Sequence, residues 1–139
     1  MSENVALIGA GAMGGAIGTR LLETGNRLCV FDLDKEKVDA LVEKGAVAAL
    51  SAADAAGQSD FVITSLNSAR IVELAVFGDN GVAAGAKDGT LVIDMSSIDP
   101  EATKVLAEKA SASGIRWVDS PLSGGAPKAQ IGELTLMAG

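Results

Sequence analysis

Short apolar runs alternate with longer amphipathic stretches along the whole chain. The runs VALI (5–8), LCVF (28–31), FVIT (61–64), TLVID (90–94) and RWVD (116–119) have the length and residue types of strands. Most show little polar alternation, which is the pattern of strands covered on both faces in a parallel sheet. AVAA (46–49) marks a weaker strand, and LTLMA (134–138) a final one reached by a tight connection. Between them the spacing predicts helices over 12–24, 35–43, 51–57, 68–77 and 100–113. The last opens on Asp99, Pro100 and Glu101: a side chain to cap the first amides, a φ preset for a helix, and a charge that suits the dipole. Gly25, Gly45 and Gly114 each follow a helical stretch and suit the left-handed residue that closes one. The segment from Gly78 to Gly89 reads as a loose surface connection. Strand–helix alternation of this kind predicts one α/β domain over residues 1–139, a doubly wound, mostly parallel Rossmann sheet with helices on both faces.

Composition narrows the function classes. With 48% hydrophobic and 21% charged residues and no charge blocks, the 139 residues fit a single globular core. No apolar run is long enough for a membrane span and the N-terminus lacks the form of a signal peptide, so a cytoplasmic protein without a membrane partner is expected. Eleven basic residues against eighteen acidic give a net charge of −7 without a basic stripe, which argues against nucleic acid as a partner. Cys29, alone and inside an apolar run, reads as a small buried hydrophobe. The chain has no His and no Tyr, so any acid or base must be a Lys, a carboxylate or Cys29.

The most informative stretch is GAGAMG, residues 9–14, which follows the first strand and opens the first helix. In that setting Gly9 permits a tight turn, Gly11 lets the backbone approach a pyrophosphate, and Gly14 lets helix and strand pack closely. The phosphates would rest on the helix N-terminus, where free N–H groups and the dipole favour negative charge. The alternative is a tight turn that binds nothing. Asp32 weighs against it, because it ends the second strand about twenty residues on, where an acid takes both hydroxyls of an adenosine ribose. A carboxylate there repels a 2′-phosphate, and Leu33 offers no guanidinium to hold one, so NAD is expected over NADP unless Lys35 or Lys37 supplies the charge. Asp34 reads as the N-cap of the helix at 35–43. Ligands of such sheets lie beyond the carboxyl ends of the strands, where SLNSA (65–69), MSSID (95–99) and SPLSGG (120–125) fall. Ser65, Asn67, Ser96, Ser97 and Ser123 can donate there, although each also suits an ordinary turn.

GAGAMG, DMSSIDP (94–100), DSPLSGG (119–125) and GELTLMAG (132–139), in this order, resemble the N-terminal domain of the β-hydroxyacid dehydrogenases across essentially the whole chain. That resemblance implies cofactor contacts at Gly9, Ala10, Gly11, Ala12, Met13 and Gly14, and at Asp32, Leu66, Asn67 and Ser97. It also implies that Ser123, Gly124 and Gly125 hold the carboxylate of a small hydroxy-acid substrate of the 3-hydroxyisobutyrate, tartronate semialdehyde/glycerate or L-threonate type. Members that use NADP resemble Asn-Arg-Thr at positions 32–34, where this chain has Asp32, Leu33 and Asp34. Many members carry proline at position 67; Asn67 and the ending GELTLMAG are more similar to the L-threonate branch. The phosphogluconate relatives carry an acidic stretch where Ala126 and Pro127 stand.

In this family the proton is handled by a lysine on a helix beyond Gly139, and no residue of the chain matches it. Lys128 is a weak catalytic candidate, since burial would lower its pKa, but a solvated lysine is the plainer expectation. The resemblance therefore implies a longer, homo-oligomeric protein whose helical C-terminal domain completes the substrate cleft. The competing expectations are a non-catalytic NAD-binding or redox-sensing module, and a domain that associates through the apolar face its missing partner would cover.

Overall fold

The computed structural model describes residues 2–120, 122, 123, 129, 132, 135 and 136. Strands β1 (Asn4–Ile8), β2 (Arg27–Phe31), β3 (Val47–Ala48), β4 (Phe61–Thr64), β5 (Leu91–Asp94) and β6 (Arg116–Asp119) form one sheet in the order β3-β2-β1-β4-β5-β6. Every pairing in it is parallel. The strand order reverses at β1, which opens a crevice at the carboxyl ends of β1 and β4. Register makes those ends level, because Ile8 pairs with both Phe31 and Thr64, and Thr64, Asp94 and Asp119 lie side by side on β4, β5 and β6.

The helices are α1 (Ala12–Glu23), α2 (Lys35–Val42), α3 (Ala52–Gly57), α4 (Ala69–Phe77), α5 (Val82–Gly85) and α6 (Pro100–Ala112). Alternate residues of each strand feed opposite cores, as the two-residue period of a strand requires. Val5, Leu7, Leu28 and Val30 pack with Ala16 and Ile17 of α1 and with Val38 and Leu41 of α2. Ala6, Ile8, Cys29 and Val62 face the other way, onto Ala55 of α3, Val72 of α4, Val82 of α5 and Leu106 of α6. Leu7 and Val30 are fully buried, and each contributes about 1.5–3 kcal/mol through the apolar surface it removes from water. The predicted strands and helices thus form within a residue or two of their expected ends. Gly25, Gly45 and Gly114 have φ of +89°, +110° and +77° and close α1, α2 and α6 as expected.

Three expectations need correction. The stretch Gly78–Gly89 is no loose surface link: it contains α5, and Val82 is completely buried. Its four residues are too few to show a helical period, so the sequence carries no signal for it. Asp99 stands at the N-cap of α6, with Pro100 at the first helical position, but among the described residues its side chain makes no capping hydrogen bond. The stretch after β6 expected to be loop contains a short strand, β7 (Leu122–Ser123), and the expected final strand, β8 (Thr135–Leu136), pairs antiparallel with it in a separate two-stranded sheet.

Helix α5 packs on α3 at the closest range side chains allow. A methyl group built on Gly85 would run into the carbonyl oxygen of Ala53. Gly85→Ala is therefore expected to force the two helices apart and to cost about 1–3 kcal/mol in urea unfolding; an unchanged midpoint would show that α5 is free to shift.

Candidate functional site

Everything at the level strand ends begins with the turn between β1 and α1. Gly9 has φ +99°, donates its N–H to the Phe31 carbonyl at 3.0 Å, and lies where a Cβ would strike the Ser65 carbonyl. Gly14 sits so close to the Gly9 carbonyl oxygen that a side chain has no room. Gly11 is the opposite case: among the described residues nothing lies within 4 Å of where its Cβ would be. The residue is the N-cap of α1, with extended backbone and no side chain to cap the helix.

The start of α1 is electrically distinct from the other long helices. Helices α2, α3 and α4 are capped by the side chains of Asp34, Ser51 and Ser68, and α2, α3 and α6 carry Glu36, Asp54 and Glu101 in their first turns. Helix α1 has neither a capping side chain nor an acid in its first turn. Its first N–H groups, which have no intrahelical acceptor, are left to face the crevice.

Asp32 lies beside this turn and is already engaged. Its Oδ2 accepts from the Ala10 N–H at 2.7 Å and its Oδ1 from the Asp34 N–H at 2.8 Å. The carboxylate thus latches the glycine turn to the end of β2, and each oxygen keeps a lone pair for a further donor. Asp34, as expected, caps α2 through the Glu36 N–H at 3.0 Å.

Two clefts meet at Gly11. One, of about 610 Å³, runs past Gly9 and Asp32 and is rimmed by Leu33, Leu50, Ile71 and Leu74. Leu33 is 95% exposed and Leu50 92%, so this apolar rim stands open to solvent. The other, of about 290 Å³, passes Met13 and Gly14 and is walled by Leu66, Asn67, Met95 and Ser97. The structure therefore brings together Gly9 to Gly14, Asp32, Leu66, Asn67 and Ser97. Ser96 differs from the expectation of a free donor: it is buried, and its hydroxyl accepts from the Leu66 N–H at 2.8 Å. Ser123 lies in β7, opposite Thr135. Gly124, Gly125 and Lys128 lie outside the described residues.

Sequence reasoning missed two features here. The leucine rim was legible only as apolar residues in odd positions, Leu33 between two acids and Leu50 ahead of a helix cap. The other is a buried polar cluster: Asp94, fully buried, accepts at Oδ1 from the Thr64 hydroxyl at 2.9 Å and from the Ser96 N–H at 3.0 Å. In the sequence Asp94 reads only as the end of a strand and the first residue of DMSSIDP. Next to it on β6, the Asp119 carboxyl is pushed above the usual carboxylate range by burial and, secondarily, by the Asp94 charge. Cys29 is buried as expected, and its thiol is pushed up by burial first and by Asp54 second, which suppresses the thiolate that chemistry would need. Among the described residues no group of three or more Cys, Asp or Glu side chains is placed to hold a metal ion, and no helix is long and apolar enough to cross a membrane.

Residues 4–139 match the family described as the NAD binding domain of 6-phosphogluconate dehydrogenase. The chain belongs to this family. Among its relatives is 2-(hydroxymethyl)glutarate dehydrogenase of Eubacterium barkeri, 41% identical over 138 residues, covering 99% of this chain and 46% of that protein. The mitochondrial 3-hydroxyisobutyrate dehydrogenase of Drosophila melanogaster is 39% identical over 138 residues, covering 99% and 42%. The solved 3-hydroxyisobutyrate dehydrogenase of Mycobacterium tuberculosis with L-serine superposes with a TM-score of 0.93 at 29% identity, covering all of this chain and 47% of that one. The chain thus spans under half the length of each of these relatives.

The contrast between Gly11 and Gly14 is testable. Gly11→Ala is expected to change stability by less than about 1 kcal/mol, because only the N-cap preference is affected. It should nevertheless weaken NAD binding by about tenfold or more, since the new methyl group occupies the approach to the helix amides. Gly14→Ala should cost about 1–3 kcal/mol or more through overpacking against Gly9. Equal stability losses in thermal melts would contradict this division.

Asp119 gives a pH signature. Because its folded-state pKa is raised, the fold favours the neutral carboxyl, and that stabilisation is present in acid and lost as pH rises through the raised value. Asp119→Asn cannot ionise, so its stability relative to wild type should increase between roughly pH 4 and 7. Urea midpoints across that range check it; a constant difference would show that Asp119 ionises as freely folded as unfolded.

Proposed function

We propose that this chain is the cofactor half of an NAD-dependent dehydrogenase acting on a small 3-hydroxy acid. The observation that carries the proposal is the start of α1: an uncapped helix with no acid in its first turn, an open Gly11 in front of it, and Asp32 alongside. This arrangement fits a pyrophosphate on the helix amides and an adenosine ribose at the Asp32 carboxylate. The rim of Leu33, Leu50, Ile71 and Leu74 suits the flat apolar faces of an adenine ring. Leu66, Asn67 and Ser97 line the far cleft, where the nicotinamide end would lie. When bound, the cofactor supplies a hydride acceptor or donor. The residues of this chain bind and orient it.

Preference for NAD over NADP follows from charge. Asp32 lines the larger cleft with Leu33 beside it, so its carboxylate would face a 2′-phosphate, and the cation of that lining that could offset it is Lys37. The substrate carboxylate is assigned to Ser123, Gly124 and Gly125, on the strength of the DSPLSGG motif. The base that takes the hydroxyl proton is assigned to a lysine of a second, helical domain, a reading supported by relatives about twice as long as this chain. The names of those relatives also support a dehydrogenase over a non-catalytic nucleotide sensor.

Calorimetric titration with NAD and NADP tests the proposal. NAD is expected to bind more tightly by about tenfold or more, the effect of one unfavourable charge contact. Asp32→Ala should weaken NAD by about tenfold or more without lifting NADP above its wild-type affinity, because the carboxylate that repels the phosphate also holds Ala10 in place. Failure of the wild-type chain to bind either nucleotide would overturn the reading. A rise in NADP affinity on substitution would show that Asp32 acts by repulsion alone.

A further inference from the structure

Asp94 is costly where it stands. Its side chain is fully buried, Oδ1 takes both available donors, and Oδ2 is buried with no partner among the described residues. A carboxyl group in such a place is penalised unless hydrogen bonds compensate its burial, and an apolar side chain would end a strand more cheaply. What the bonds achieve is specific. The Thr64 hydroxyl ties Asp94 to the end of β4, directly before the loop that carries Leu66 and Asn67. The Ser96 N–H ties it to the loop that carries Ser97. Ser96 then passes the connection on, its hydroxyl accepting from the Leu66 N–H. The backbone adds a third strand, since the Ser120 N–H donates to the Asp94 carbonyl at 2.9 Å.

A single carboxylate therefore sets the spacing of the two loops that wall the smaller cleft, while touching none of the open space itself. The other cleft is framed mainly by the glycine turn, Asp32 and the leucine rim, and it meets this network along residues 65–67, which line both clefts. We infer that Asp94 is a positioning residue chiefly for the nicotinamide half of the cofactor: through Thr64 and Ser96 it holds loops 65–67 and 96–97 in register, whereas the adenine half meets this network only along residues 65–67 and depends on it less. This rests on the dinucleotide reading above.

The experiment compares two probes on the same chain, NAD and ADP-ribose, which keeps the adenine, both riboses and the pyrophosphate and lacks only the nicotinamide ring. Asp94→Ala is expected to weaken NAD by about tenfold and ADP-ribose by less than about threefold. Asp94→Asn, whose amide oxygen still accepts from Thr64 and Ser96, should recover most of the NAD loss. If Asp94→Ala does not fold, Thr64→Val provides the comparison, because it removes one of the two donors to Asp94 at a fully buried position that lines neither cleft. Equal losses for both probes, or no loss for either, would overturn the inference and leave the dinucleotide reading standing. A wild-type chain that binds neither probe would overturn both. A wild-type chain that binds ADP-ribose as tightly as NAD would also overturn the inference, because the nicotinamide side would then contribute nothing to be positioned.

Discussion

The contact between Gly14 and the Gly9 carbonyl is the constraint from which the rest of the site follows. It brings α1 against the exit of β1 more closely than any side chain allows, and so fixes where the first turn of that helix points. A parallel sheet of level strand ends then surrounds the helix start with loops from β2, β4 and β5. Had α1 stood further out, its free amides would face solvent rather than the crevice.

Acidic residues do three separate jobs around this point. Asp32 stiffens the turn by binding two backbone N–H groups, Asp34 caps the start of α2, and Asp94 sets the distance between loops. None of them is placed in the first turn of α1, although the chain carries eighteen acids and puts one in the first turn of three other helices. The absence of negative charge there is thus a local property that the net charge of −7 conceals.

Much of this was legible in the sequence. Five strands with apolar faces on both sides and five amphipathic helices were readable from periodicity, and GAGAMG and Asp32 marked the crevice because turn chemistry and charge act locally. What escaped depends on contacts distant in sequence. Helix α5 is too short for a period and is recognisable only by Val82 reaching the core. The bond from Thr64 to Asp94 spans thirty residues, and nothing near either residue announces it. Asp99 shows the reverse failure, with the right residue type at the right position but no hydrogen bond from its side chain. Asp32 is more than a waiting ligand, since its bond to Ala10 ties it directly to the glycine turn, a contact that spans twenty-two residues.

Leu33 and Leu50, almost wholly exposed beside the larger cleft, have a thermodynamic consequence. Covering them with a nucleotide base would draw on the hydrophobic effect, which is entropic near room temperature, fades on cooling and carries a negative heat-capacity change. The phosphate end of the same ligand would be held by charge and dipole, which salt screens. One molecule would thus be gripped at its two ends by forces of different origin, one sensitive to temperature and the other to ionic strength.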